Sequence, residues 1–154
     1  MNNLPHVRLV RIDDVPELLE LSTLIHEENA FMPYSPQRVE ALIARAVAQD
    51  RLIMGVIGPV GGIEGITCVT IGQFYYTDDL HLEEVFTYVR PEYRKSDNMK
   101  ALIEFDKEAA NRIGVPFLTG VISTNRTAAK IRLYERRLGK QSGAYFLIPK
   151  KVAQ

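Results

Sequence analysis

Hydrophobic positions along this chain switch between a spacing of two and a spacing of about 3.6, and the switches mark its elements. Val7 and Leu9 share one face of a strand expected over 6–12. Asp13 and Asp14 stand where a helix cap belongs, just ahead of Pro16, and Leu18, Leu21, Leu24 and Ile25 follow at helical spacing. Residues 26–34 mix charge, aromatic rings and Pro33 and read as a loop. Ser35-Pro36 opens a second helix with Val39, Leu42, Ile43, Ala46 and Val47 on one face. Strand-like runs then cover 52–57, 63–76 and 82–89. The turns between them are Gly58-Pro59-Val60-Gly61-Gly62 and Asp78-Asp79, so the pattern is an antiparallel meander.

After Pro91 the period changes again. A helix is expected over 96–113, with Met99, Leu102, Ile103, Asp106, Ala109, Ala110 and Ile113 at core spacing and Gly114 at its C′ position. A strand over 116–122, a helix over 125–138 stopped by Gly139 and a last strand over 143–149 complete the order β-α-α-β-β-β-α-β-α-β. That alternation predicts a mixed α/β class, with one central mixed sheet and helices on both faces. The unit 82–122 predicts a right-handed crossover between parallel strands. No repeat or linker interrupts the pattern, so residues 1–154 read as a single domain.

Composition narrows the function classes. The 154 residues carry 19 basic and 19 acidic side chains, so no net charge calls for nucleic acid or an anionic membrane. The helix 126–140 is locally basic, but no nucleic-acid reading motif accompanies it. Cys68 is the single cysteine, which excludes an intrachain disulfide and reads as a small core residue. No apolar run has the length of a membrane span, and the start MNNLPHVRLV has no leader-type apolar core, so the expected location is cytoplasmic. The triplet His26-Glu27-Glu28 matches no metal-ligand spacing.

The segment 82–99, LEEVFTYVRPEYRKSDNM, concentrates the chemistry. A strand runs through a basic turn (Arg94, Lys95) into small polar residues (Ser96, Asp97, Asn98) and a helix start. The free N–H groups and positive dipole end of a helix N-terminus suit a phosphorylated ligand. The spacing Val89-x-Pro91-x-Tyr93-Arg94 resembles the acetyl-CoA motif of the GCN5-related N-acetyltransferases (GNAT). A second run, Asn125, Ala128, Leu133, Tyr134 and Gly139, resembles the pattern that follows the fifth strand in that family. The resemblance implies splayed fourth and fifth strands with pantetheine between them, held by the backbone of Thr87, Tyr88 and Val89. It implies a turn from Arg94 through Lys95, Ser96, Asp97 and Asn98 to Met99 around the pyrophosphate. Asn125 would lie near the pantetheine arm, and Lys130 would reach a phosphate. Tyr134 would protonate the departing thiolate. Asp97 and Met99 stand where the family has glycines, a departure similar to a phage-type subgroup with a basic-Ser-polar turn.

Acetyl transfer to an amine needs a base, because alkyl ammonium groups are protonated near neutral pH. Glu83 and Glu84 offer one. Strand alternation points them to opposite faces, with Glu84 expected beside Phe86 and Tyr88. His26, Glu27, Glu28, Phe31 and Tyr34 are expected to wall the acceptor side. The resemblance thus implies an acetyl-CoA-dependent N-acetyltransferase with a small-molecule or protein amine as acceptor, in a family whose members pair into homodimers. The missing glycines keep open an alternative: a catalytically silent GNAT-fold module that senses acyl-CoA or binds a protein.

Overall fold

The computed structural model describes residues 3–150; residues 1–2 and 151–154 of the expected domain lie outside them. The strands are β1 (Arg8–Leu9), β2 (Leu52–Ile57), β3 (Gly65–Gln73), β4 (Leu80–Val89) and β5 (Phe117–Leu118). The helices are α1 (Val15–Asn29), α2 (Pro36–Val47), α3 (Asn98–Ile113) and α4 (Thr127–Leu138). One sheet has the order β1-β2-β3-β4-β5. It is antiparallel up to β4, and β5 joins β4 in parallel. This is the mixed α/β class that the pattern predicts.

Both sheet faces are covered. Leu18, Leu21, Ile43 and Ala46 of α1 and α2 pack on Met54, Val56, Ile66, Cys68 and Tyr88. On the opposite face Ala101 and Leu102 of α3 meet Ile57 and Val89, and Ala110 meets Val69 and Leu82. Cys68 is fully buried, and burial pushes its thiol up to about 12, so it is a packing residue as expected.

Five expectations need correction, the first being that the strand expected over 116–122 is only Phe117–Leu118. The first strand is only Arg8–Leu9, and while the Arg8 backbone stays paired with Val56, its side chain grips Asp14 (2.7 and 2.8 Å) and the Gly58 carbonyl (2.9 Å). Asp14 is therefore spent on Arg8 and on the Arg11 N–H, and it does not cap α1. Helix α1 runs on through His26–Asn29, where a loop was expected. Nothing in HEEN breaks a helix, and the chain turns extended only at Ala30. Residues 143–149 form no strand. Their apolar pattern suits one, but β5 is only two residues long, too short to offer a ladder to a further strand. Tyr145, Phe146, Leu147 and Ile148 stay exposed.

The sheet opens where it matters. The β4–β5 ladder holds only at Leu82↔Phe117 and Glu83↔Leu118. Beyond Glu83 the two strands part. A β-bulge also interrupts β4: Val69 pairs with Glu84, but Cys68 pairs with Phe86, so Val85 is the extra residue.

Candidate active site

The bulge decides which carboxylate enters the opened seam. Because Val85 is inserted, Glu84 shares its face with Leu82 and Thr87, on the α3 side. Phe86 and Tyr88 turn the other way, toward α1 and α2. The expected grouping of Glu84 with Phe86 and Tyr88 is therefore wrong by one bulge. Glu84 Oε1 accepts a hydrogen bond from the Tyr134 phenol at 3.0 Å, and Oε2 accepts one from the Thr119 hydroxyl. Glu83 is occupied elsewhere: its Oε2 lies 2.9 Å from His81 Nε2, over Gly72.

Tyr134 comes from the middle of α4, which lies at the mouth of the seam. Burial raises its phenol above the ordinary range, and the Glu84 charge adds to that. The nearby Thr87 hydroxyl offsets part of that rise. Around this pair lies a cleft of about 420 Å³, walled by Glu83–Thr87 of β4, residues 118–123 after the crossover, Met99, Lys130, Leu133 and Tyr134.

At the outer end of the cleft three charges meet. Arg94 reaches back from the turn, donates Nε–H to the Val89 carbonyl at 2.9 Å, lies over the Tyr88 ring and pairs with Glu28 of α1. Lys130 Nζ donates to Asn29 Oδ1 at 3.0 Å and Ser123 Oγ at 2.9 Å, and lies 3.8 Å from Glu28 Oε1. Burial lowers the Lys130 pKa, and Glu28 works against that. Glu28 is thus the shared counter-ion of both cations. The extra turn of α1 delivers it there, away from the acceptor wall on which a loop over 26–34 would have put it.

The turn itself departs from expectation at one residue. Asn98 is 2 % exposed and donates its side-chain amide to Glu64 Oε2 at 2.9 Å, so that amide is turned inward. Ser96 Oγ accepts the Asn98 N–H at 3.1 Å from one position ahead of the Asp97 N-cap, whose own side chain makes no cap bond. Asp97 pairs with Lys100 at the surface. Lys95 is exposed, and Met99 packs toward Val89 and Leu102 while lining the cleft. Asn125 is exposed in the turn before α4, outside the cleft wall.

A second, larger cavity of about 1230 Å³ lies between α1, α2 and residues 145–147, and adjoins the cleft at Ile25, Phe86 and 121–123. His26, Phe31 and Tyr34 line it as expected. His26 Nε2 lies 2.7 Å from the Met32 carbonyl, and the Tyr34 hydroxyl lies 2.7 Å from Ser22 Oγ, so both pin the α1–α2 connection. No carboxylate lines it: Glu27 lies outside its wall and Glu28 is committed to Arg94 and Lys130. The expected acidic wall is absent among the described residues.

Known proteins share this architecture. The chain superimposes on an acetyltransferase of Trypanosoma brucei with a TM-score of 0.69 at 21% identity, over 94% of this chain and 99% of that one. It matches AAC(6')-Iy, solved with a bisubstrate analogue CoA-S-monomethyl-acetylneamine, with a TM-score of 0.73 at 12% identity, over 96% and 98%. A predicted acetyltransferase with acetyl-CoA from Clostridium acetobutylicum gives 0.71 at 12% identity, over 95% and 96%. The fold is that of the GNAT acetyltransferases. In sequence it is 27% identical over 127 residues to an amino-acid acetyltransferase of Mannheimia succiniciproducens, covering 82% of this chain and 26% of the relative. A Pasteurella multocida protein of the same name is 28% identical over 121 residues, covering 79% and 24%. The chain thus spans about a quarter of the length of these curated relatives. No family model matches it.

Proposed function

We propose that this chain is an N-acetyltransferase that moves the acetyl group of acetyl-CoA to an amine by direct attack. The hydrogen bond from Tyr134 to Glu84, held at the seam where β4 and β5 part, carries this reading. The shared fold, the names of the relatives and the basic-Ser-polar turn of the phage-type subgroup support it.

The ammonium proton of the acceptor leaves to solvent before attack, and the two side chains account for the protons that move after it. As the amine nitrogen bonds to the thioester carbon, Glu84 takes the proton the nitrogen sheds. As the C–S bond breaks, Tyr134 gives its proton to the leaving thiolate. The proton on Glu84 then returns to the phenolate through their hydrogen bond, and both groups are restored. N–H groups of β4 beyond Glu83, on the edge that β5 has left, polarise the carbonyl. Arg94, Lys95 and Lys130 hold the phosphates, with Thr87, Tyr88 and Val89 along the pantetheine. Met99 supports the arm; the Ser96 and Asn98 N–H groups are taken by the Tyr93 carbonyl and Ser96 Oγ, so of this turn the Asp97 N–H is left to the pyrophosphate.

The acceptor side favours an amine on an apolar body. Leu18, Leu21, Ile25, Val39, Leu42 and Phe86 form the cavity wall, and its charged groups are Arg38 and Arg45. Arg45 is already paired with Asp50, which leaves Arg38 for an anionic substituent such as a carboxylate. A polycation would find no counter-charge there.

A second reading, the silent acyl-CoA-binding module, draws on Glu28, which sits on the cations a phosphate needs. Calorimetric titration with acetyl-CoA, followed by a thiol-release assay over apolar amino acids, short peptides and an aminoglycoside, separates the two. Turnover with an apolar amino acid supports the first reading. Binding without turnover on any amine supports the second, and no binding at millimolar acetyl-CoA removes the first.

A further inference from the structure

The β4–β5 ladder stops one step short of the proposed base. Its last pair is Glu83↔Leu118, and the residues next in line are Glu84 and Thr119. These two form no backbone pair, and a side-chain bond takes the place of the ladder: the Thr119 hydroxyl donates to Glu84 Oε2. The other carboxylate oxygen, Oε1, accepts from the Tyr134 phenol at 3.0 Å. All three side chains line the cleft of the opened seam. The carboxylate is thus tied at both oxygens, to the segment after β5 on one side and to α4 on the other.

We propose that Thr119 is a positioning residue for Glu84: by holding Oε2 it fixes the carboxylate plane and keeps Oε1 on the Tyr134 phenol. The proposal rests on the reading of Glu84 as the base and Tyr134 as the acid. The last torsion of a glutamate side chain is broad, so a carboxylate with one tether turns about it. Two tethers from two different elements close that rotation. The fixed plane matters when the proton taken from the amine returns from Glu84 to the phenolate, because that transfer needs the two groups within hydrogen-bond reach. A carboxyl turned away from the ring would release its proton to solvent and leave the phenolate without one.

The chemistry of the contact suits that task. A carboxylate only accepts, and a threonine hydroxyl has one hydrogen, so beside Glu84 the hydroxyl is the donor. It takes up no proton and gives none away during the cycle. The place in the chain suits it as well. Leu118 before it is apolar and Gly120 after it has no side chain, so Thr119 supplies the donor at the point where the strands part.

The test is carbon NMR of the intact chain, labelled at tyrosine Cζ and glutamate Cδ, near neutral pH and without ligand. Tyr134→Phe and Glu84→Gln identify the two resonances. Thr119→Val keeps the shape and removes the donor, so both the Glu84 and the Tyr134 resonances should move. Thr119→Ser should return both to their wild-type positions. In a Glu84→Ala background, Thr119→Val should leave the Tyr134 resonance where Glu84→Ala alone puts it, since the hydroxyl acts on the ring through the carboxylate. With an acceptor in hand, Thr119→Val should lower kcat on the order of tenfold, near the worth of a hydrogen bond to a charged group. KM for acetyl-CoA should stay unchanged, and Thr119→Ser should restore kcat. A Tyr134 resonance that stays in place in Thr119→Val, or that moves equally with and without Glu84, overturns the proposal. So does a loss carried by KM that serine does not repair, which would assign Thr119 to the shape of the cleft. The NMR needs no acceptor: the expected shifts in a chain that acetylates no amine would uphold the positioning and remove the transferase reading.

Discussion

The Tyr134 phenol donates to Glu84 Oε1 at 3.0 Å, from a helix to a bulged strand 50 residues away in sequence. A contact between the proposed acid and the proposed base lets one proton circulate between them. Tyr134→Phe removes the proton donor and leaves the ring in its half-buried site. Its expected effect is a fall in kcat on the order of 10²-fold, with KM for acetyl-CoA nearly unchanged. Glu84→Gln should lower kcat similarly. The double variant should cost little more than either single one, because the pair acts as a unit. Strictly additive losses in a thiol-release assay would mean that the two groups act separately.

Glu28 holds the two cations that a pyrophosphate would need. Arg94→Ala should weaken acetyl-CoA binding by about tenfold, near the value of one charge-assisted hydrogen bond. Glu28→Gln should do the opposite. It frees Arg94 and Lys130, so Kd should fall and its dependence on salt should steepen. Calorimetry at two ionic strengths reads both effects. Weaker binding in Glu28→Gln would mean that the carboxylate places the cations rather than competing for them.

The order of elements was legible in the sequence because the periods switch cleanly and the turns are marked by glycine, proline and aspartate pairs. The site was legible only as far as short motifs reach. Tyr134, Arg94 and the Glu83–Glu84 pair were found that way. The face of Glu84 was not, because alternation assumes an unbroken ladder, and no residue in Glu84-Val85-Phe86 announces a bulge. Glu28 was expected on the acceptor wall rather than beside Arg94 and Lys130, because mixed chemistry near Pro33 resembled a loop, whereas the helix ends only at Asn29. Thr119 carries no motif; only the sheet brings it to the seam. The expected strand over 143–149 failed for a non-local reason, since its partner ladder ends at Leu118.

Two buried aspartates should give this protein opposite pH responses. The Arg8 hydrogen bonds hold the Asp14 carboxyl below its usual range. That stabilisation is complete above the unfolded value near 3.8 and is lost as pH falls through the lower folded value. Burial raises Asp106 instead, to about 8. The folded state then keeps a proton that the unfolded chain releases near 3.8, so stability falls as pH rises from about 4 to about 8 and levels off above. Asp106→Asn should remove that decline. Its gain at pH 8 should be on the order of a few kcal/mol, at about 1.4 kcal/mol per tenfold change in proton affinity. Arg8→Met leaves a buried carboxylate unpaired and should cost about 3–5 kcal/mol near neutral pH, with the loss shrinking in acid. Thermal melts followed by circular dichroism across this range check both signs. A wild-type Tm that stays flat between pH 5 and pH 8 would remove the Asp106 assignment.

Gly72 offers a way to separate Glu83 from Glu84. A Cβ on Gly72 would sit 2.6 Å from His81 Nε2 and 2.9 Å from Glu83 Oε2, so the His81–Glu83 pair cannot keep its place. His81 has little room, because its side chain is 6% exposed and its ring stacks on Phe74 at 4.4 Å. Glu83, at 42%, is the partner that moves. Gly72→Ala should therefore destabilise the fold by about 1–3 kcal/mol, while the Glu84–Tyr134 contact on the other face is untouched. Its kcat should stay within about twofold of wild type, and Glu83→Gln should behave in the same way without the stability loss. If Glu83→Gln lowered kcat as far as Glu84→Gln, the base would be Glu83, and the part of the mechanism in which the proton returns from Glu84 to Tyr134 would have to be abandoned.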